Sequence, residues 1–175
     1  FNLTPYLETG KNTLAVRVYR WSDGSWLEDQ DGFNMSGIYR DVWLYATPDL
    51  AIRDFYATSK LDNNYDNANF SIEVAVKNYG TKTSKPNSIT INIAGEQIKK
   101  ELPRLQSGKE QIIKLDTRIK SPLKWTAETP NLYPLVLSLS QGGKVNQVTG
   151  TEFGFRDVEI SGNKILLNGK PFIQK

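Results

Sequence analysis

Between Arg20 and Asp31 the chain reads RWSDGSWLEDQD, which gathers two tryptophans and four carboxylates around one glycine. The carboxylates of Asp23, Glu28, Asp29 and Asp31 suit sugar hydroxyls or a small hard cation. Trp21 and Trp26 offer flat apolar faces, either to a sugar ring or to ordinary packing. Gly24 lets the backbone turn closely behind Asp23. Asp23 therefore has two readings: a ligand for a sugar or cation, or an Asx-turn cap on the Ser22–Ser25 bend. Two carboxyls about 5 Å apart would serve retaining glycoside hydrolysis. Crowded acids also make a solvated or cation-binding turn, and the alternating D-x-D-x-D register of a calcium loop is lacking. Arg20 and Arg40 flank the loop and are placed to tie carboxylates together, their stems covering apolar surface. Asp41 is a local candidate partner for Arg40, and Met35 fills space.

The elements that must hold this loop read as strands. Leu14, Val16 and Val18 alternate with Ala15, Arg17 and Tyr19, and Val42–Tyr45 repeats the pattern. Pro48 and Asp49 in TPDL then mark a linker. Further strands are expected at 52–59, 68–79, 88–93, 110–115, 133–140 and 145–151, with 141–144 as a hairpin turn. Phe70, Ile72, Val74 and Val76 give the clearest alternation, with Leu135, Leu137 and Leu139 next. Thr126–Thr129 is expected to form one short helical turn. In the tail, Asn163–Leu167 and Pro171–Ile173 flank the turn signal Asn168-Gly169-Lys170. Several short strands over about 100 residues fit an immunoglobulin-like sandwich. The fold class is all-β: that sandwich, preceded by the terminal strands of an incomplete jelly roll and followed by a short β-hairpin.

Composition narrows the chemistry. The chain has 175 residues, 38% of them apolar, with a formal charge of +3. The lysine excess between Lys77 and Lys124 reads as a solvated face with protected sheet edges, without the aromatic platforms or basic motif of a nucleic-acid binder. There is no Cys and no His. Chemistry confined to these residues would use carboxylates, Lys, Tyr or a hard cation. No apolar run approaches a membrane span, so a soluble protein is expected, with cytoplasm and periplasm both open. The start at FNLTPYL, without Met, reads as a cut-out segment or mature form.

RWSDGSWLEDQD at 20–31 with MSGIYRDVWL at 35–44 resembles the end of the sugar-binding jelly roll of family-two glycoside hydrolases, in their β-galactosidase branch. WTAETPNLYPLVLSL at 125–139 resembles the late strands of the family's first immunoglobulin-like domain. FGFRDVEI at 153–160 and LLNGKPF at 166–172 resemble the passage into the catalytic (β/α)-barrel. This resemblance implies a jelly-roll end at 1–47, a sandwich domain at 48–155 and a barrel start at 156–175. It also implies that both catalytic glutamates, the histidines and a bound magnesium belong to a barrel beyond Lys175, so no catalytic residue and no firmly held cofactor fall within the chain.

Under the same resemblance, Asp23 meets the galactosyl 6-hydroxyl region and helps ligate a sodium ion; Trp26, which follows the acidic turn, is placed toward an active-site rim, with ordinary packing as the alternative. Glu28, Asp29 and Asp31 order the loop. Trp125 and Tyr133 are structural, with a second sugar site as the alternative, and Arg156 anchors the sandwich to the barrel. The implied partners are the remaining domains of a parent hydrolase and a terminal β-galactoside, with no nucleic acid or membrane, in a homo-oligomeric parent. The isolated segment is expected to be inactive. Two other classes stay open: a stand-alone carbohydrate-binding module using Trp21, Trp26 and Asp23, and a purely structural or adhesive sandwich.

Overall fold

A computed structural model describes residues 1–27 and 36–172, with only the backbone at Trp26 and Leu27. The chain divides into two compact units, Phe1–Tyr45 and Ala46–Lys175.

The second unit is an all-β sandwich. Its strands are β1 (Leu50–Leu61), β2 (Ala68–Asn78), β3 (Asn87–Ile93), β4 (Glu96–Leu102), β5 (Glu110–Ile119), β6 (Tyr133–Gln141) and β7 (Lys144–Phe153). One sheet runs β1-β2-β5 and the other β4-β3-β6-β7, every pairing antiparallel. This is the two-sheet division of an immunoglobulin-like domain. The alternation expected in the sequence sets the faces: Phe70, Ile72, Val74 and Val76 point inward from β2, opposite Ile89, Ile91, Ile93, Leu135, Leu137 and Leu139. All ten are at most 1% exposed. Each such side chain contributes about 1.5–3 kcal/mol relative to exposure. At one end the core turns aromatic: Phe70 meets Phe153 edge-on at 5.3 Å, and Phe155 meets Tyr133 at 5.4 Å.

The hairpins follow local chemistry. Ala94-Gly95 joins β3 to β4 and Gly142-Gly143 joins β6 to β7, all four residues with positive φ as a tight hairpin turn requires. β4 is a strand that the sequence pattern missed. It is an edge strand carrying Lys99 and Lys100, so few of its side chains need burial. At Thr126–Thr129 there is no helical turn. The Thr126 amide donates to the Thr129 carbonyl and the Thr129 amide to Thr126 Oγ1, which closes a bend between the bridged residues Trp125 and Pro130.

The tail forms three short antiparallel strands in the same unit: β8 (Val158–Ser161), β9 (Lys164–Leu167) and β10 (Lys170–Pro171). The first unit departs from expectation. It contains a 3-10 turn at Thr4–Tyr6 and a short helix, α1 (Asp23–Leu27), but neither Leu14–Tyr19 nor Val42–Tyr45 forms a strand. Leu14, Val16 and Val18 are each about half exposed and Trp43 is 80% exposed. An alternating pattern marks a face ready for burial; a ladder also needs a partner, and none pairs with either segment among the described residues of this unit.

Candidate functional site

In the first unit the expected loop is partly helical. Ser22, rather than Asp23, holds the bend: Ser25 donates its amide to the Ser22 carbonyl, and its Oγ accepts the Ser22 amide at 3.1 Å. This is half of a capping box, with a serine where a glutamate is more usual. Asp23 lies in the first turn of α1, where a carboxylate complements the amide ends, and its side chain is exposed. Arg20 stacks over Trp21 at 5.3 Å and Arg40 over Tyr39 at 5.7 Å. Glu28, Asp29, Asp31 and Met35, like the side chain of Trp26, lie outside the described residues.

A hard cation takes six or more oxygens. Among the described residues there is no group of three or more carboxylate, His or Cys side chains placed to hold a metal ion. Asp23 offers one exposed carboxylate, and the described residues alone do not make a complete cation site.

In the second unit the polar chemistry gathers where the sandwich meets β8–β10. Asp157, only 5% exposed, accepts from the Leu61 amide at 3.2 Å and pairs with Lys60 Nζ at 2.9 Å. The hydrogen bond from Lys60 to this carboxylate raises the lysine above its usual range. Asn168, at φ +50°, donates its amide to the Asp157 carbonyl, accepts the Asp157 amide at Oδ1, and donates Nδ2 to the Trp125 carbonyl. Asparagine suits both demands, since it tolerates the left-handed region and offers a donor and an acceptor. Tyr65 donates its hydroxyl to Glu159 at 3.2 Å; burial first, and then this bond, hold the phenol above its usual value. Gly169 packs so closely on the Tyr65 ring that a Cβ would fall 2.6 Å from Cε2.

Beside this clamp lies an open cleft of about 440 Å³, lined by Ala57 and Ser59 of β1 and by Trp125, Leu132, Phe153 and Arg156. The Arg156 guanidinium sits 4.5 Å from the Trp125 ring centroid. Tyr133 lines a different cleft with Asn92 and Val136, and its hydroxyl accepts the Leu123 amide at 2.8 Å. Trp125 and Tyr133 are thus not brought to one surface. Sequence reasoning passed over Asp157, Asn168 and Lys60. An asparagine in an Asn-Gly turn signalled the turn, but its bonds reach residues far away in the chain.

A family model described as "Glycosyl hydrolases family 2" matches residues 50–156, and "Glycosyl hydrolases family 2, sugar binding domain" matches residues 1–48. The chain belongs to family 2 of the glycosyl hydrolases. This family 2 chain is 43% identical over 179 residues to a β-galactosidase of Priestia megaterium, covering 99% of the chain and 17% of the relative. It is 37% identical to a β-galactosidase of Vibrio vulnificus, with the same shares covered. A crystal structure of Bacteroides uniformis β-glucuronidase matches with TM-score 0.74 and 25% identity, over 82% of this chain and 19% of that one. The family 2 chain therefore spans about a sixth of the length of these β-galactosidases. Among the described residues no helix is long and apolar enough to cross a membrane.

Proposed function

We propose that this chain is a non-catalytic segment of a retaining β-galactosidase that cleaves terminal β-D-galactosides. In this reading the residues up to about 47 close a sugar-binding jelly roll, 48–155 form the spacer sandwich, and 156–175 lead into the catalytic barrel. The observation that carries it is the 43% identity along 99% of the chain to a β-galactosidase about six times longer. The segment holds the domains in register and supplies Asp23 to the sugar and sodium site, with Trp26 at its rim. The exposed carboxylate in the first turn of α1 supports that role, because among the described residues the bend is held by Ser22 and Ser25. Arg156 anchors the sandwich to the rest of the parent. The reading is tested by assaying purified 1–175 against a nitrophenyl β-galactoside and by placing Asp23→Ala in the parent. Expected are no turnover by the segment, and a parent with weakened galactoside binding and altered sodium dependence. Turnover by 1–175 that is lost with Asp23→Ala would overturn it.

A second reading is favoured by the match of residues 1–48 to a sugar binding domain. Residues of the first unit would then bind a saccharide unaided, through Trp21, Trp26 and Asp23. Saturable binding of galactose or lactose to 1–175, lost in Trp26→Ala, would select it.

A further inference from the structure

We propose that the cleft beside β1 is a strand-addition site for an extended polypeptide segment bearing an acidic side chain. The segment would seat its backbone on Ala57–Ser59 and its carboxylate on Arg156. This inference does not depend on the parent being a galactosidase.

The first argument is the free edge of β1. Among the described residues this strand pairs only with β2, so alternate backbone groups point away from the sheet. The bulge between Ile52 and Asp54 resets the alternation, placing Ile52 on the outer edge before it and Phe55, Ala57, Ser59 and Leu61 after it. Three of these five amides are satisfied by side chains. Ile52 donates to Gln147 Oε1, Phe55 to Asp54 Oδ1, and Leu61 to Asp157 Oδ2. Ala57 and Ser59 have no such acceptor among the described residues of this unit. Both line the cleft, with Thr58 between them. Side chains close the edge at Phe55 on one side and at Leu61 on the other, and the two positions between them are spaced as an extended backbone repeats. A saccharide has no such repeat; a peptide strand does.

The second argument is charge. Arg156 is exposed and stacked on Trp125, and no carboxylate pairs with it among the described residues of its unit. Stacking leaves the in-plane N–H groups free, which is the geometry for receiving a carboxylate through two bonds. Gly154 keeps the wall close, since a Cβ there would fall 3.0 Å from Trp125 Cβ. Glu152 on the same lining requires the remainder of the occupant to be neutral or basic.

The test titrates isotope-labelled 1–175 with a capped pentapeptide of alternating threonine and valine around a central glutamate, and with its glutamine counterpart. The readout is amide hydrogen exchange. The expected result is slowed exchange at Ala57 and Ser59, with about tenfold more of the glutamine peptide needed for the same effect. Arg156→Ala should remove that preference, and Ala57→Pro should abolish the slowing, because an edge position whose amide is unused accepts proline. If Ala57→Pro does not fold, the Arg156→Ala arm decides alone. Unchanged exchange at both amides, equal response to the two peptides, or slowing by lactose in place of peptide would each overturn the proposal.

Discussion

Gln147 Oε1 accepts the Ile52 amide at 2.7 Å, and its Nε2 donates to the Ile52 carbonyl at 3.5 Å. One side chain of β7 thus stands in for a neighbouring strand at the rim of the other sheet. Replacing it by leucine keeps the bulk and orphans two backbone groups on a residue only 6% exposed. Gln147→Leu should cost about 1–3 kcal/mol and speed exchange of the Ile52 amide. A variant as stable as the parent chain, with Ile52 still protected, refutes the assignment.

The clamp at Asn168 should separate backbone strain from side-chain bonding. Asn168→Gly keeps the left-handed turn and loses the side-chain bonds to the Asp157 amide and the Trp125 carbonyl, whereas Asn168→Ala loses the same bonds and also strains φ. Alanine should therefore be worse than glycine by about 1–2 kcal/mol in denaturant unfolding. Equal losses would mean that the turn conformation contributes nothing.

Phe70→Ala removes a buried ring that meets both the partly buried Phe153 and the buried Phe155. A loss of about 3–5 kcal/mol is expected, read as a lower denaturant midpoint with unchanged slope. A loss below about 1 kcal/mol would place the core's centre elsewhere.

Acid should weaken the sandwich through Asp62 and Glu110. The Asn67 side chain, then the Asp66 amide, hold Asp62 below its usual value, and Arg53 does the same to Glu110 through a two-bond pair. Both folded values are depressed, so the stabilisation is present above about pH 4 and is lost as pH falls through them. Asp62→Asn with Glu110→Gln should lower Tm at neutral pH and flatten its fall below about pH 4. An unchanged slope would show that other carboxylates carry the acid response.

Much of the sandwich was legible because its strands bury one face. The inward Phe70-to-Val76 and Leu135-to-Leu139 series announce themselves by alternation alone. β4 escaped because an edge strand rich in lysine buries little, so its pairing leaves almost no apolar trace. Leu14–Val18 misled for the converse reason: the pattern specifies a face, and the ladder depends on residues elsewhere. At the candidate sites the residue types around Asp23 pointed to sugar or cation chemistry, while the turn proved to belong to Ser22 and Ser25. Asp157, Asn168 and Gln147 act across the fold on Leu61, Trp125 and Ile52, and no local window holds both ends of such a bond.

The tie between Leu61 and Asp157 joins residues 96 apart in the chain. A ribosome releases the Leu61 end first, so β1 and β2 can pair locally long before their far end is fastened. The fastening waits until Asn168 has also emerged, because Asn168 fixes the backbone of Asp157 at both its amide and its carbonyl. During synthesis the amides of Leu61, Ala57 and Ser59 therefore form one longer unguarded edge, which is the interval in which a nascent sandwich of this kind is most exposed to pairing with a neighbouring chain.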